Sequence, residues 1–389
     1  MILRSLYLAY RITELLENKI NNQRIIAFDL MRAIMLFLLL VLHAGISFMS
    51  SKLNPGLWMF KDKSTHFIFD GMIGFIHSFR HPIFFIISGF VTYQMSQKYS
   101  WNKLIIKRFK RLFIPMLIII FLAGPFIHIL ISQLMGKIDT FSLQAIYPSS
   151  SEYSFGFSTI YVWFLYYLML FTVIHLIIER LGIMSYFSRI KLGKNWFLTS
   201  IVILTIIIIC TLAFWGENSL FGDYHWNPNL LSFGGFLSFY LFGIFLANQK
   251  EALTNIKNHG LFFVILGTVS FIIYSVQGLI ELNQVGNAMK FNWIIMISSG
   301  LSSVFFAIGF MGLALKYYTK SNKYISYISR SSYFLYLIHF PILILFLKYC
   351  VQYDWNAFIK FLFVLIATCL SSFIINVLWV KLWKNNPPI

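Results

Sequence analysis

The chain has 389 residues, of which 59% are hydrophobic, 19% aromatic and only 11% charged. Soluble domains carry about 25% charged residues, so this composition excludes a water-soluble globule and a disordered chain alike. With 31 Lys and Arg against 13 Asp and Glu the formal net charge is +18. In a soluble protein that balance points to nucleic acid; in a membrane protein it points to positive residues held on the cytoplasmic side.

Residues 1–24 interleave Arg4, Arg11, Lys19 and Arg24 with Leu6, Tyr10, Leu15 and Leu16, the pattern of a helix lying on a membrane surface. Charge interrupts the apolar positions and no small-residue cleavage site follows, so this reads as a cytoplasmic amphipathic segment rather than a signal peptide. A membrane span needs about 20 apolar residues. Ten segments qualify: 28–49, 74–95, 113–134, 159–179, 197–215, 230–248, 260–280, 292–315, 332–350 and 358–380. The expected fold is therefore an all-α integral-membrane bundle of about ten helices, with one transmembrane domain over 25–380 and a short tail over 381–389. Sorting the loops alternately puts 22 of the 31 positive residues on the side of the two chain ends. The other side holds Lys52, Lys61, Lys63, Lys137, Lys290 and Lys348, and Arg32, Arg80 and Lys360 fall inside the spans. The asymmetry places both termini in the cytoplasm. Cys210, Cys350 and Cys369 sit in or beside apolar runs without metal-site spacing, as core or lipid-facing residues do.

Ionisable groups inside a membrane are costly and mark functional sites, and the first span holds several. It reads Phe28-Asp29-Leu30-Met31-Arg32, then runs apolar to Leu42-His43-Ala44. Arg32 and His43 are eleven residues apart, about three turns and 20° of helix, so they share a face with roughly 16 Å between them along the axis. Asp29 falls on the same side and can pair with Arg32. Alone, Arg32 fits a side chain snorkelling to lipid phosphates, and His43 a satisfied polar group between helices; the shared face favours a joint role. The second span opens His77-Ser78-Phe79-Arg80-His81-Pro82, which brings Arg80 and His81 to the level of His43. Pro82 is a kink site, and Ser88-Gly89 reads first as a close helix approach. Before the third span, Lys107-Arg108-Phe109-Lys110-Arg111 crowds four positive charges into five residues. Arg108 and Arg111 share a face, and two guanidinium groups suit a phosphate or pyrophosphate. A stop-transfer cluster on anionic headgroups is the simpler explanation of this loop taken by itself.

Trp58, Trp226 and Trp355 stand in the outer loops. Glu217, Asp223, Tyr224, His225 and Trp226 could stack on and hydrogen-bond a sugar, or belong to the interfacial aromatic belt. His339, in Tyr336-Leu337-Ile338-His339-Phe340-Pro341 of the ninth span, can hydrogen-bond across helices. The histidines show no metal-ligand spacing, so no metal is expected.

Several of these stretches together resemble the acyltransferase type 3 membrane family. FDLMRAIMLFLLLVLHAG, with Arg32 and His43 separated by ten residues, is similar to its signature. So are FFIISGF at 84–90, RFKR at 108–111 followed by Pro115, YVWFLYYL at 161–168 and SSYFLYLIHFPI at 331–342. Their order and spacing match across residues 25–380. Within the family, IHSFRHPIFFIISGF looks most like the glucan biosynthesis protein C subgroup, which attaches succinyl groups to periplasmic glucans. One departure is Tyr161, where many relatives have His.

The resemblance implies a multi-pass enzyme of the bacterial inner membrane. It implies acyl-CoA (succinyl-CoA or acetyl-CoA) as co-substrate with no permanently bound cofactor, and a periplasmic or cell-surface glycan as acceptor. It also implies His43 as the catalytic residue supported by Arg32, and Arg108 and Arg111 as donor-binding residues. On this expectation the donor phosphates sit at Arg108 and Arg111 with Ser88 nearby, and the pantetheine arm threads into the bundle. His43 takes a proton from a sugar hydroxyl as general base, or carries the acyl group itself, while Asp29 holds Arg32. Arg80, His81, Trp163, His339 and Trp226 are the candidates for stabilising the oxyanion or meeting the acceptor, and Arg80 also for binding the distal carboxylate of a succinyl group. Membrane lipids are partners and nucleic acid is not. The competing class is a transporter or flippase of a lipid-linked sugar, since ten spans with buried charges suit it as well. Against it, no pair of interrupted segments recurs in corresponding halves.

Overall fold

The computed structural model describes residues 25–51, 58, 60–134, 136, 159–183, 196–220, 222, 226–249, 251–285 and 291–385. The expected surface helix over 1–24 lies outside these residues, as do Asp223, Tyr224, His225 and the end of the tail at 386–389. Among the described residues, ten helices are long and apolar enough to cross a membrane. They are α1 (Ile26–Gly45), α2 (Phe67–Ser96), α3 (Trp101–Leu134), α4 (Trp163–Arg180), α5 (Trp196–Trp215), α6 (Leu230–Asn248), α7 (Ala252–Val285), α8 (Trp293–Tyr317), α9 (Lys323–Cys350) and α10 (Ala357–Asn385). No strand occurs among the described residues. An all-helical solution follows from the lipid: with no water to bond, every backbone amide and carbonyl in a span must be satisfied within its own segment.

Each expected span corresponds to one helix, but several helices are longer than their apolar stretch. α2 begins at Phe67 rather than 74, and α9 at Lys323 rather than 332. Hydropathy registers only the lipid-buried part, whereas the helix continues until a cap stops it. Asn322 caps α9 by accepting from the Tyr324 amide at 2.8 Å, and Asn292 and Asn229 do the same for α8 and α6. The first span ends earlier as α-helix, at Gly45, and tightens into a 3₁₀ turn over Ile46–Phe48.

α1, α2 and α8 form the centre of the bundle and bury most of their surface, while α5, α7 and α10 leave most of theirs to lipid. α2 packs on α6, α7 on α8, and α9 on both α1 and α10. Small residues set the closest of these contacts. A Cβ added at Gly89 would stand 2.0 Å from the Tyr240 carbonyl oxygen, and one at Gly243 2.0 Å from that of Ile86. The α2–α6 crossing therefore requires both glycines, and it fixes the neighbouring Ser88. α3 is interrupted twice. The Ile114 amide bonds back to Phe109 and the Gly124 amide to Ile119, so both turns are π-helical. Each precedes a proline, Pro115 and Pro125, whose ring crowds the carbonyl four residues back and offers it no amide. The three cysteines are free thiols.

The connection from α1 to α2 is tied down by polar contacts. Lys360 of α10 donates to both carboxylate oxygens of Asp62 at 2.9 Å, with both residues buried. The Asp62 amide bonds Ser47, and the Trp58 indole donates to the Ser47 hydroxyl at 2.7 Å. Lys360 thus answers a buried carboxylate rather than lipid. Removing one partner of a buried ion pair leaves an uncompensated charge and costs about 3–5 kcal/mol. Lys360→Met should lower the thermal stability of the detergent-solubilised protein accordingly. Lys360→Met combined with Asp62→Asn should recover most of the loss, and an equal loss in both variants would show that an unpaired Asp62 carboxylate is not its cause.

Candidate active site

One cavity of about 430 Å³ runs between α1, α2, α3, α4 and α9. Helix order along α1 and α2 gives it two ends. At one end stand Asp29 and Arg32 of α1, Lys98 just after α2, and Lys107, Arg108, Lys110 and Arg111 of α3. At the other stand His43 of α1, Arg80 and His81 of α2, Trp163 of α4 and Tyr161 just before it, and Tyr336 of α9. Leu36, Leu39, Phe84, Ser88, Leu165 and Leu168 line the passage between them. Spread over the roughly 16 Å separating Arg32 and His43 along α1, that volume makes a slot rather than a chamber.

The basic end is held by contacts between helices. Arg108 donates to the Thr92 hydroxyl at 2.6 Å, while its Nε is buried with no protein partner. The first π-turn of α3 begins immediately after Arg108 and packs on α4. Arg32 approaches Asp29 at 3.9 Å, and Asp29 also accepts from Ser329 of α9 at 2.9 Å. Asp29 is thus occupied in joining α1 to α9 and in orienting Arg32. Among the described residues, Asp29 is the one acid on the cavity wall against six Lys and Arg at this end, so the mouth is suited to a polyanion.

The other end is aromatic and imidazole-rich. Arg80 is 4% exposed, donates to His81 Nε2 at 2.7 Å, and keeps its Nε unpaired. It is a buried guanidinium with no carboxylate beside it in the cavity wall, so an incoming anionic oxygen would meet a strong, desolvated donor. His81 leans on Trp163, with ring centroids 4.9 Å apart, and Trp163 packs on Phe236 and Phe85. His43 lies between the Trp58 and His339 rings, at 6.0 and 5.3 Å.

Among the residues expected from the sequence, Asp29, Arg32, His43, Arg80, His81, Ser88, Arg108, Arg111 and Trp163 come together on this one cavity. Two do not. Trp226 is exposed outside it, its carbonyl accepting from Tyr166 at 3.0 Å. His339 is fully buried, off the cavity wall, with its Nε2 3.1 Å from His43 Nδ1. The cause is local: His339 points across the α9–α1 contact to His43.

Tyr161, Tyr333 and Tyr336 belong to the site but were not anticipated there. Pro341 cannot donate to the Leu337 carbonyl, and the Tyr161 hydroxyl takes that oxygen instead, at 2.5 Å. The Tyr336 hydroxyl returns a bond to the Tyr161 carbonyl. Tyrosine at 161 therefore clasps the start of α4 to the broken turn of α9. Ser329, Ser332, Tyr333 and Tyr336 follow i, i+3, i+4, i+7 spacing, a polar stripe on α9 that could have been read as a cavity face.

Comparison with known proteins identifies the family. The family described as Acyltransferase domain matches residues 25–377. Relatives named glucans biosynthesis protein C, from Escherichia coli strain SMS-3-5 and from Escherichia coli O1:K1, are each 25% identical over 371 residues, covering 89% of this chain and 89% of their own. No solved structure matches.

Proposed function

The chain belongs to the acyltransferase domain family, and from that premise we propose that it transfers a succinyl or acetyl group from acyl-CoA to a hydroxyl of a glycan across the cavity. The observation that carries this reading is the single passage with Arg108 and Arg111 at one end and His43 at the other. The nucleotide phosphates of the donor bind the basic mouth, where Arg108, Arg111, Arg32 and the neighbouring lysines neutralise them. The uncharged pantetheine arm lies along the apolar slot past Ser88. The thioester then reaches the level of His43 and Arg80.

His43 acts as general base. It takes the proton of the sugar hydroxyl as the oxygen attacks the thioester carbonyl. The tetrahedral oxyanion collapses with cleavage of the C–S bond, and the imidazolium returns the proton to the departing thiolate, giving the ester and free CoA. Arg80 either stabilises the oxyanion or, for a succinyl donor, holds the distal carboxylate. His81 is less suited to be the base, because its Nε2 lone pair already accepts from Arg80. Glucan as the acceptor class draws on the name of the relatives; a bacterial inner membrane, with the basic mouth on the cytoplasmic side, draws on the loop charge asymmetry.

The test is purified protein in detergent, given succinyl-CoA or acetyl-CoA with and without glucan oligosaccharide. Free thiol should appear in step with acylated sugar and only with the acceptor present. Absence of thiol with either donor, alongside movement of a lipid-linked sugar in vesicles, would identify a flippase instead.

A further inference from the structure

We infer that His339 is a positioning residue that fixes the tautomer of His43, so that the nitrogen presented to the cavity is the one able to accept a proton. The inference rests on the general-base reading of His43 and adds the device that makes it competent.

The hydrogen bonds read in one direction. His339 Nδ1 lies 2.6 Å from the Tyr336 carbonyl oxygen. A carbonyl only accepts, so this nitrogen carries a hydrogen. In a neutral imidazole the other nitrogen, Nε2, is then bare. His43 Nδ1 lies 3.1 Å from that Nε2, so with both rings uncharged His43 must donate from Nδ1. Its own Nε2 is left with a lone pair. The two rings are nearly parallel, 10° apart, with centroids 5.3 Å apart, as suits an N–H···N bond lying in the plane of both rings. When His43 takes a proton on Nε2, its Nδ1–H still meets the His339 acceptor, and the imidazolium is stabilised without rearrangement. The backbone carbonyl here plays the orienting part that a carboxylate plays in an Asp-His pair.

The surroundings hold His339 rigid. It is fully buried, and the Tyr161 and Tyr336 rings stand 5.5 and 5.8 Å from it. Those tyrosines are locked by the contacts around the Pro341 break. Without His339, the His43 ring is free to carry its hydrogen on either nitrogen or to turn.

The experiment compares His339→Ala, His339→Gln and His43→Ala as purified proteins, measuring kcat and the KM for acyl-CoA. His339→Ala should lower kcat about 10²-fold while KM changes less than about threefold. His339→Gln, whose amide oxygen can accept from His43 Nδ1, should regain about tenfold. If His43→Ala is inactive and His339→Ala keeps the wild-type kcat, the positioning role is wrong and the general-base reading stands. If His43→Ala is fully active, the general-base reading itself is wrong. Should His339→Ala not fold, nitrogen NMR of the histidine-labelled wild type decides, with the His43 signal assigned by difference against His43→Ala. Hydrogen on Nδ1 of His43 is the expected result, and hydrogen on its Nε2 overturns the proposal.

Discussion

His43→Ala is expected to reduce acyl transfer by about 10³-fold or more while leaving the KM for acyl-CoA nearly unchanged. General-base catalysis by a positioned imidazole contributes about 10² to 10⁴ in rate, and the cavity holds no substitute. His81, the other imidazole on its wall, accepts from Arg80. The one carboxylate on that wall among the described residues, Asp29, is engaged by Arg32 and Ser329 at the far end. On the proposed reading the donor phosphates sit about 16 Å away along α1, so removing the imidazole should not weaken their binding. The check is a rate against acyl-CoA concentration for the variant and the wild type. A large rise in KM with intact kcat would make His43 a binding residue.

The second large effect is expected at the opposite end. Arg108→Ala with Arg111→Ala should raise the KM for acyl-CoA by at least about 10²-fold and lower kcat much less, since hydrogen bonds to charged groups are worth about 1.5–3 kcal/mol each. Arg108 also ties α3 to α2 through Thr92, so its loss alone mixes binding with packing. Arg111→Ala separates the two, because the Arg108–Thr92 bond remains. The affinity of the wild type should fall with added salt more steeply than that of the double variant. Unchanged donor affinity would leave the pair with a topological role only.

The fold was legible because a lipid environment leaves few choices: an apolar run of about 20 residues has to become a helix. The helix ends were less legible, because α2 and α9 continue into polar sequence that hydropathy ignores, and only caps such as Asn322 mark where they start. The site was legible where one helix supplied the whole argument. Arg32 and His43 share a face of α1, and Arg108 and Arg111 share one of α3, so periodicity alone could pair them. Contacts between distant helices were not legible. The His43–His339 bond spans 296 residues and the Tyr161–Leu337 bond 176, and nothing in the local pattern of either partner encodes the other. Pro341 was visible in the sequence, but its consequence, a carbonyl left for Tyr161, depends on where α4 begins in space. Trp226 shows the opposite case: a residue type suited to sugars is exposed away from the cavity wall, where Tyr166 donates to its carbonyl.

The proposed reaction requires one passage joining a donor that enters at the Arg108–Arg111 end to an acceptor at the His43 end. Proteoliposomes of known protein orientation test it most directly, with acyl-CoA on one side of the membrane and glucan oligosaccharide sealed on the other. Acylated oligosaccharide should form when acyl-CoA faces the Arg108–Arg111 end and the sugar the His43 end, and the reversed arrangement should give none. Acylation only when donor and acceptor share a side would contradict the account.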